Sequence, residues 1–279
     1  MRSIGLHLRL HKELCDVAGR AMALKLPFFQ CFLRPMGSKG PIFFTRRDVA
    51  LFLRDYRPAF NELYLHGSYW INLASISRTK HHVLHKELYW AKKLQFTHLI
   101  LHPGSAKGAL HRDEGVDALV IALNTLLKKE HDIKIVLENT AHGNMSVGSD
   151  ITDFAQVLQK LDHPDRVLFC IDTAHAYAYG YNIRNPEGQD AFIALLDKTI
   201  GIKRIALLHV NDTHEQLGSC LDRHHMLGDG QIGHEALKRF VLHPQLYAIP
   251  MLMEPPIASF EQEHGMLNAV LSWHTQNKE

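Results

Sequence analysis

Thr97-His98-Leu99-Ile100-Leu101-His102, a helical stretch over residues 115–129, and then Ile133-Lys134-Ile135-Val136-Leu137-Glu138 form the passage that decides the fold. The two apolar runs are short enough to be buried strands, and the segment between them has helical periodicity, so the passage reads as one βαβ unit of a parallel sheet. Working outward, the rhythm recurs. Candidate strands lie near residues 3–8, 28–33, 62–65, 97–101, 133–137, 166–171, 204–208 and 248–253. Helical stretches cover 12–25, 45–56, 78–94, 115–129, 151–161, 189–200 and 234–242, with a last one after Ser259. Eight strands with eight helices is the count of an α/β (β/α)8 TIM barrel, and the length of 279 residues suits one such barrel as a single domain over residues 1–279. An open doubly wound sheet is the competing layout. No G-x-G-x-x-G follows the first strand, which also argues against a nucleotide cofactor.

Composition narrows the function classes. With 46% hydrophobic and 22% charged residues, and no apolar run long enough for a bilayer, the chain reads as a globular protein without a membrane partner. The N-terminus lacks the apolar stretch and small-residue cleavage site of a signal peptide, so a cytoplasmic location is expected. Cys15, Cys31, Cys170 and Cys220 are widely spaced and form no C-x-x-C pair, which suggests neither a disulfide framework nor a thiolate metal site. A formal charge of +2 is too mild to mark a nucleic-acid binder. The unusual number is 21 histidines, which either decorate the surface or supply neutral imidazoles to metals. His81, His82, His85, His111 and His131 fall in helical or loop stretches and read as surface residues.

In a TIM barrel the chemistry sits at the C-terminal ends of the strands. Strand three ends in His66, strand four in His102, strand five in Glu138, strand six in Asp172 with His175 just beyond, strand seven in His209 and strand eight in Glu254. The loop after strand seven adds Asp222-Arg223-His224, whose outer side chains project the same way if the segment is extended. One polar residue at a strand end is ordinary loop polarity. Six consecutive strands ending in potential metal ligands are not. Five imidazoles and four carboxylates without sulfur suit zinc, manganese or iron(II) and disfavour magnesium or calcium. Nine ligands exceed the needs of one ion, and clustered metals suit in-line displacement at phosphorus, so the residues point to hydrolysis of a phosphoester.

The motifs themselves resemble a known family. His66-Gly67-Ser68-Tyr69-Trp70-Ile71-Asn72-Leu73, His102-Pro103-Gly104-Ser105, Glu138-Asn139-Thr140-Ala141 and Cys170-Ile171-Asp172-Thr173-Ala174-His175-Ala176 closely resemble endonuclease IV, the zinc-dependent AP endonucleases of the xylose isomerase-like barrels. So do His209-Val210-Asn211-Asp212, the segment from Leu217 to His224, and Gly228-Asp229-Gly230-Gln231-Ile232-Gly233. The resemblance implies three zinc ions, with manganese or iron(II) as alternatives at some sites. Glu138 would bridge two of them, His66 and His102 completing the first and Asp172, His209 and Glu254 the second. His175, Asp222 and His224 would hold the third. It further implies cleavage of double-stranded DNA 5′ to abasic sites in base excision repair, leaving a 3′-hydroxyl and a 5′-deoxyribose phosphate, with Glu138 as the catalytic carboxylate that orients or deprotonates the attacking water. A monomer is expected. Three divalent ions would take the formal charge from +2 to about +8, which makes the metal-loaded form the DNA binder.

The N-terminal region departs from the family pattern. His7 is retained, but Arg9-Leu10-His11-Lys12-Glu13 follows the first strand in place of small residues and glycines. The loop from Leu33 to Pro41 lacks the family's polar character, His142 stands where glycine is usual, and His214 where lysine is common. These changes bear on substrate recognition and leave the ligand set intact. Arg34, Lys39 and Arg223 are candidate phosphate contacts, and Tyr69 and Trp70 candidates for stacking on or wedging between bases. Asn139 and Asn211 are placed to fix the ligands through hydrogen bonds. Two other functions fit parts of the pattern. A sugar isomerase or epimerase of the same barrel superfamily needs only one or two ions, and a lesion-binding protein without catalysis needs no intact ligand set.

Overall fold

The computed structural model describes residues 2–35, 42–77 and 82–274. Its eight strands are β1 (Ile4–His7), β2 (Phe29–Cys31), β3 (Tyr64–His66), β4 (His98–Leu101), β5 (Lys134–Glu138), β6 (Val167–Asp172), β7 (Ile205–His209) and β8 (Met251–Met253). Each pairs in parallel with the next, and β8 pairs with β1, closing the barrel in sequence order. Closure removes every sheet edge and points all strand C-termini to one face. The helices α1 (Leu14–Ala23), α2 (Arg46–Leu51), α3 (His82–Lys93), α4 (Arg112–Lys129) and α5 (Thr152–Lys160) precede β6 in the chain. They are followed by α6 (Thr173–Tyr179), α7 (Pro186–Thr199), α8 (His234–Leu242) and α9 (Phe260–Trp273). The fold is thus the expected TIM barrel.

Period-two alternation sorts the strands into two layers of apolar contact, with a register shift between β6 and β7 where the consecutive Ala206 and Leu207 both meet the interior layer. One set of side chains, Phe28, Tyr64, Ile100, Val136, Cys170, Leu207 and Leu252, forms a small cluster of its own inside the barrel. Their neighbours in sequence, such as Ile135, Leu137 and Phe169, belong instead to the large cluster shared with the helices, which includes Val116, Leu119 and Leu123 of α4. At β1 the interior position is Gly5, where an added Cβ would lie 2.5 Å from Phe28 Cε2, so only glycine leaves room for that ring.

Several elements differ from the expected bounds. Strands β1 to β4 and β8 are shorter than the expected runs, β2 covering three residues, while β5 to β7 keep the expected length one residue further on. The helix expected over residues 45–56 is α-helical only to Leu51 and continues as a wider turn over Phe52–Tyr56. The start of the helix expected at residue 78, including His81, and Lys39 lie outside the described residues. Helix α6 was not expected. It begins directly after β6 because the Asp172 carboxylate caps it, accepting from His175 N at 2.7 Å, and it ends at Gly180 with φ 134°. His82, His85, His111 and His131 are exposed, as read from the sequence.

Candidate metal centre

The candidate ligands follow from the layering. Two residues beyond an interior apolar side chain, the next inward position on each strand is polar: His66 after Tyr64, His102 after Ile100, Glu138 after Val136, Asp172 after Cys170, His209 after Leu207 and Glu254 after Leu252. The same step takes Phe28 to Gln30 and Gly5 to His7. Eight strands therefore contribute eight polar side chains to one ring above the barrel plug, closed over by His175 from α6 and by Asp222 and His224 from the loop after β7.

Glu138 is the hub. It is fully buried, with Oε2 3.3 Å from His66 Nε2 and 3.4 Å from His102 Nε2, while Oε1 lies 2.9 Å from His209 Nδ1 and 3.4 Å from His175 Nδ1. The donor atoms of His66, His102 and Glu138 fall within 4.8 Å of one another, as do those of Glu138, Asp172, His209 and Glu254, and those of Asp172, His175 and His224. Asp222 joins the last group through Oδ1, 3.0 Å from His175 Nε2 and 3.6 Å from His224 Nε2. Asp172 thus stands between the second and third groups, where the sequence reading assigned it to the second alone. Cys170 Sγ comes within the same 4.8 Å of Glu138 and His209, one layer down, although the cysteine spacing had pointed away from sulfur.

The electrostatics of the ring call for cations. Burial alone would lift the Glu138 carboxyl, yet His209 and His102 hold it well below the ordinary carboxylate range. Burial likewise disfavours the charged His209 imidazole, but Cys170, Glu138 and Glu254 push it well above its usual value. Burial, then Asp172 and Asp222, act the same way on His175, with the same upward result. Glu138 Oε2 and His102 Nε2 are buried without a hydrogen-bond partner, and His175 Nε2 faces His224 Nε2 at 3.4 Å. Lone pairs aimed at one another and orphaned inside a protein are costly, and a shared divalent ion with N and O ligands relieves them. The residues present fit such ions.

The supporting residues hold the ring still. Asn139 accepts from Asp172 N at 2.7 Å and donates to Asp172 O at 3.1 Å, while Asn211 Nδ2 donates to Asp172 Oδ2 at 2.6 Å and Glu254 Oε2 at 3.0 Å. Both asparagines thus hydrogen-bond to candidate ligands. Gln30 was missed. Its Nε2 lies 2.6 Å from Glu254 Oε1, and a carboxylate only accepts, so the amide nitrogen must face Glu254. The amide oxygen then faces His209 Nε2 at 2.9 Å and requires the proton there, which turns Nδ1 toward Glu138 and Glu254. His7 closes the same network, its Nδ1 3.2 Å from Glu254 Oε1. Asp212 closes the motif that begins at His209. Its buried carboxylate accepts from the backbone of Thr213, Gly230, Ile232 and Gly233, and its carbonyl accepts from His225 N at 2.8 Å, clamping the loop that carries Asp222 and His224.

A cleft of about 450 Å³ opens over the ring, lined by His7, Arg9, Arg34, Tyr69, Trp70 and Glu254 among others. Tyr69 and Trp70 are 66% and 70% exposed, the Tyr69 ring sitting 5.7 Å from His66 and 5.6 Å from His102. Arg34 lies in this cleft. Arg223 is exposed and pairs with Glu215 at 3.1 Å, outside the cleft lining.

Residues 40–274 match the family described as xylose isomerase-like TIM barrel, and the closed sheet with its polar strand ends defines a barrel of that class. Over 270 residues the chain is 30% identical to "Probable endonuclease 4" of Thermosipho melanesiensis, covering 92% of this chain and 93% of the relative. It is 31% identical over 271 residues to the protein of that name from Thermosipho africanus, with the same coverage. The solved structure of endonuclease IV from Thermus thermophilus superposes with a TM-score of 0.83 at 29% identity, spanning 99% of this chain and 100% of that one. This chain belongs to the endonuclease IV family.

Proposed function

We propose that the chain is a metal-dependent endonuclease that hydrolyses the DNA backbone 5′ to abasic sites, leaving a 3′-hydroxyl and a 5′-deoxyribose phosphate, as a step of base excision repair. It acts as a monomeric, single-domain enzyme on double-stranded DNA. The observation that carries this reading is the Glu138 carboxylate, one oxygen directed to His66 and His102 and the other to His209 and His175. In this reading His66, His102 and Glu138 hold one ion, Glu138, Asp172, His209 and Glu254 a second, and His175, Asp222 and His224 with Asp172 a third. When bound, zinc ions would lower the pKa of a water and neutralise charge on the phosphoryl oxygens. Glu138 orients the attacking water, Asn139, Asn211 and Gln30 keep the ligands in one rotamer, and Tyr69 and Trp70 on the cleft wall fill the gap that the missing base leaves in the stack. Arg34 contributes a phosphate contact from the same cleft, with Arg223 on its outer margin. A polyol isomerase on this barrel would have no task for the third group of ligands.

Elemental analysis of the purified protein, paired with incision of a duplex carrying one abasic site, tests the reading. About three zinc-like ions per chain are expected, some of them surviving brief chelation, with a product end that a polymerase extends. Fewer than about one ion per chain after reconstitution, or an intact duplex, overturns it.

A further inference from the structure

Glu87 lies on α3, outside the barrel, yet the residue is only 2% exposed and lines the cleft. Its Oε2 accepts from Ser68 N at 3.0 Å. Ser68 opens a tight turn, closed by Ile71 N donating to Ser68 O at 2.9 Å, and the two central positions of that turn are Tyr69 and Trp70. The stem below is held by Gly67 N on Ile100 O at 2.7 Å, and the exit by buried Ile71 and by Leu73 N on Pro103 O at 3.1 Å. Glu87 therefore supplies the side-chain anchor at the entry of a turn whose apex is two exposed aromatic rings. Arg34 lies in the same cleft close enough to draw the carboxylate toward its charged form.

We infer that Glu87 is a positioning residue for lesion recognition: it fixes the seat of the Ser68–Ile71 turn, so that Tyr69 and Trp70 are presented to the duplex already ordered. The role rests on the endonuclease reading above. A wedge that is ordered before binding loses less conformational freedom on binding, so affinity, rather than the chemical step, depends on the anchor. Burial pushes the Glu87 carboxyl up to about 7, and both its neutral and charged forms keep an oxygen for Ser68 N–H.

Glu87→Leu removes the acceptor, and Glu87→Gln keeps one. In metal-loaded enzyme, Glu87→Leu should raise KM for the abasic duplex about tenfold with kcat within about twofold and metal content unchanged, and Glu87→Gln should restore most of the loss. Trp90 and Trp273 are buried, so acrylamide quenching and anisotropy of the exposed tryptophan emission report Trp70 directly. Glu87→Leu should lower that anisotropy. In the wild type, the Ser68 amide should exchange more slowly than its neighbours Tyr69 and Trp70, a measurement that needs no variant to fold. The inference is overturned if Ser68 exchanges as fast as those two, if Glu87→Leu leaves KM unchanged or lowers kcat and metal content with it, or if Glu87→Gln is as impaired as Glu87→Leu. A wild type that does not distinguish an abasic from an intact duplex overturns the endonuclease reading and the recognition role with it. The quenching and exchange measurements use no DNA and judge the anchor separately.

Discussion

Gln30→Leu should weaken metal binding at the group formed by Glu138, Asp172, His209 and Glu254, although Gln30 belongs to none of the ligand groups. The amide is fully buried and contacts His209 at 2.9 Å, Glu254 at 2.6 Å and His7 at 2.8 Å. Leucine fills a similar volume but leaves His209 Nε2–H without a partner, a penalty of about 1–3 kcal/mol in a buried site, and takes from Glu254 Oε1 one of its two neighbours, leaving His7 Nδ1 at 3.2 Å. Outer hydrogen bonds to metal ligands are worth about 10–100-fold in affinity, which is the same size once some relaxation is allowed. Competition with a chromophoric chelator should therefore show one ion released 10–100-fold more readily, on the order of 1.4–2.7 kcal/mol, with the others little changed. Gln30→Glu sharpens the test, because it keeps an acceptor for His209 but sets a second carboxylate against Glu254, so its metal affinity should become strongly pH-dependent. Zinc binding by Gln30→Leu within about twofold of wild type, in a protein that still unfolds cooperatively, would refute the assignment of Gln30 as the group that fixes the His209 tautomer.

Glu138→Gln should abolish incision with little loss of fold, since an amide cannot carry the charge shared between two ligand groups; turnover near the wild-type rate would remove Glu138 from the mechanism. Trp70→Ala should weaken binding and incision of an abasic duplex by about 1–3 kcal/mol with bound metal unchanged, and Arg34→Ala should matter less. Equal incision by Trp70→Ala, or loss of its metals, would make the ring structural. Glu87 gives a pH signature that a buried glutamine lacks. Its folded value of about 7 stands above the ordinary 4.5, so its stabilising contribution is complete below about 4.5 and is lost as pH rises to about 7, on the order of 3 kcal/mol in all. Urea denaturation between about pH 5 and 8 should show Glu87→Gln gaining on the wild type as pH rises, then levelling off; a constant difference contradicts it.

Much of the site was legible because strand ends and ligands coincide in the chain. His66, His102, Glu138, Asp172, His209 and Glu254 each close an apolar run, and a reader who marks the ends of the runs has marked the ring. Gln30 escaped for two physical reasons. It is uncharged, and it lies in the middle of the stretch expected as a strand over residues 28–33, whereas the ladder itself is only Phe29–Cys31. The two-residue step from Phe28 would have found it, as it would have found His7 from Gly5. Helix α6 was hidden because it follows β6 without a loop, and its capping residue, Asp172, was already counted as a ligand. Asp212 and Glu87 could not be read locally. The partners of Asp212 lie as far on as Gly233, and Glu87 looks like one more carboxylate on a surface helix until α3 is packed against the turn after β3.

The alternation that sorts plug from ring makes strand length a kind of address. One residue added between Val136 and Glu138 would turn the carboxylate out toward the helices, and two would lift it a layer, about 7 Å above its partners. Either change would dismantle the centre with every ligand still present in the sequence. The segments after β1 and β2 carry no ligand and no such constraint, and the departures there leave the ring alone, whereas those after β6 and β7 must keep His175, Asp222 and His224 in place. A barrel of this kind can therefore change what it grips by lengthening or replacing the segments after β1 and β2, provided the count of residues within each strand is kept.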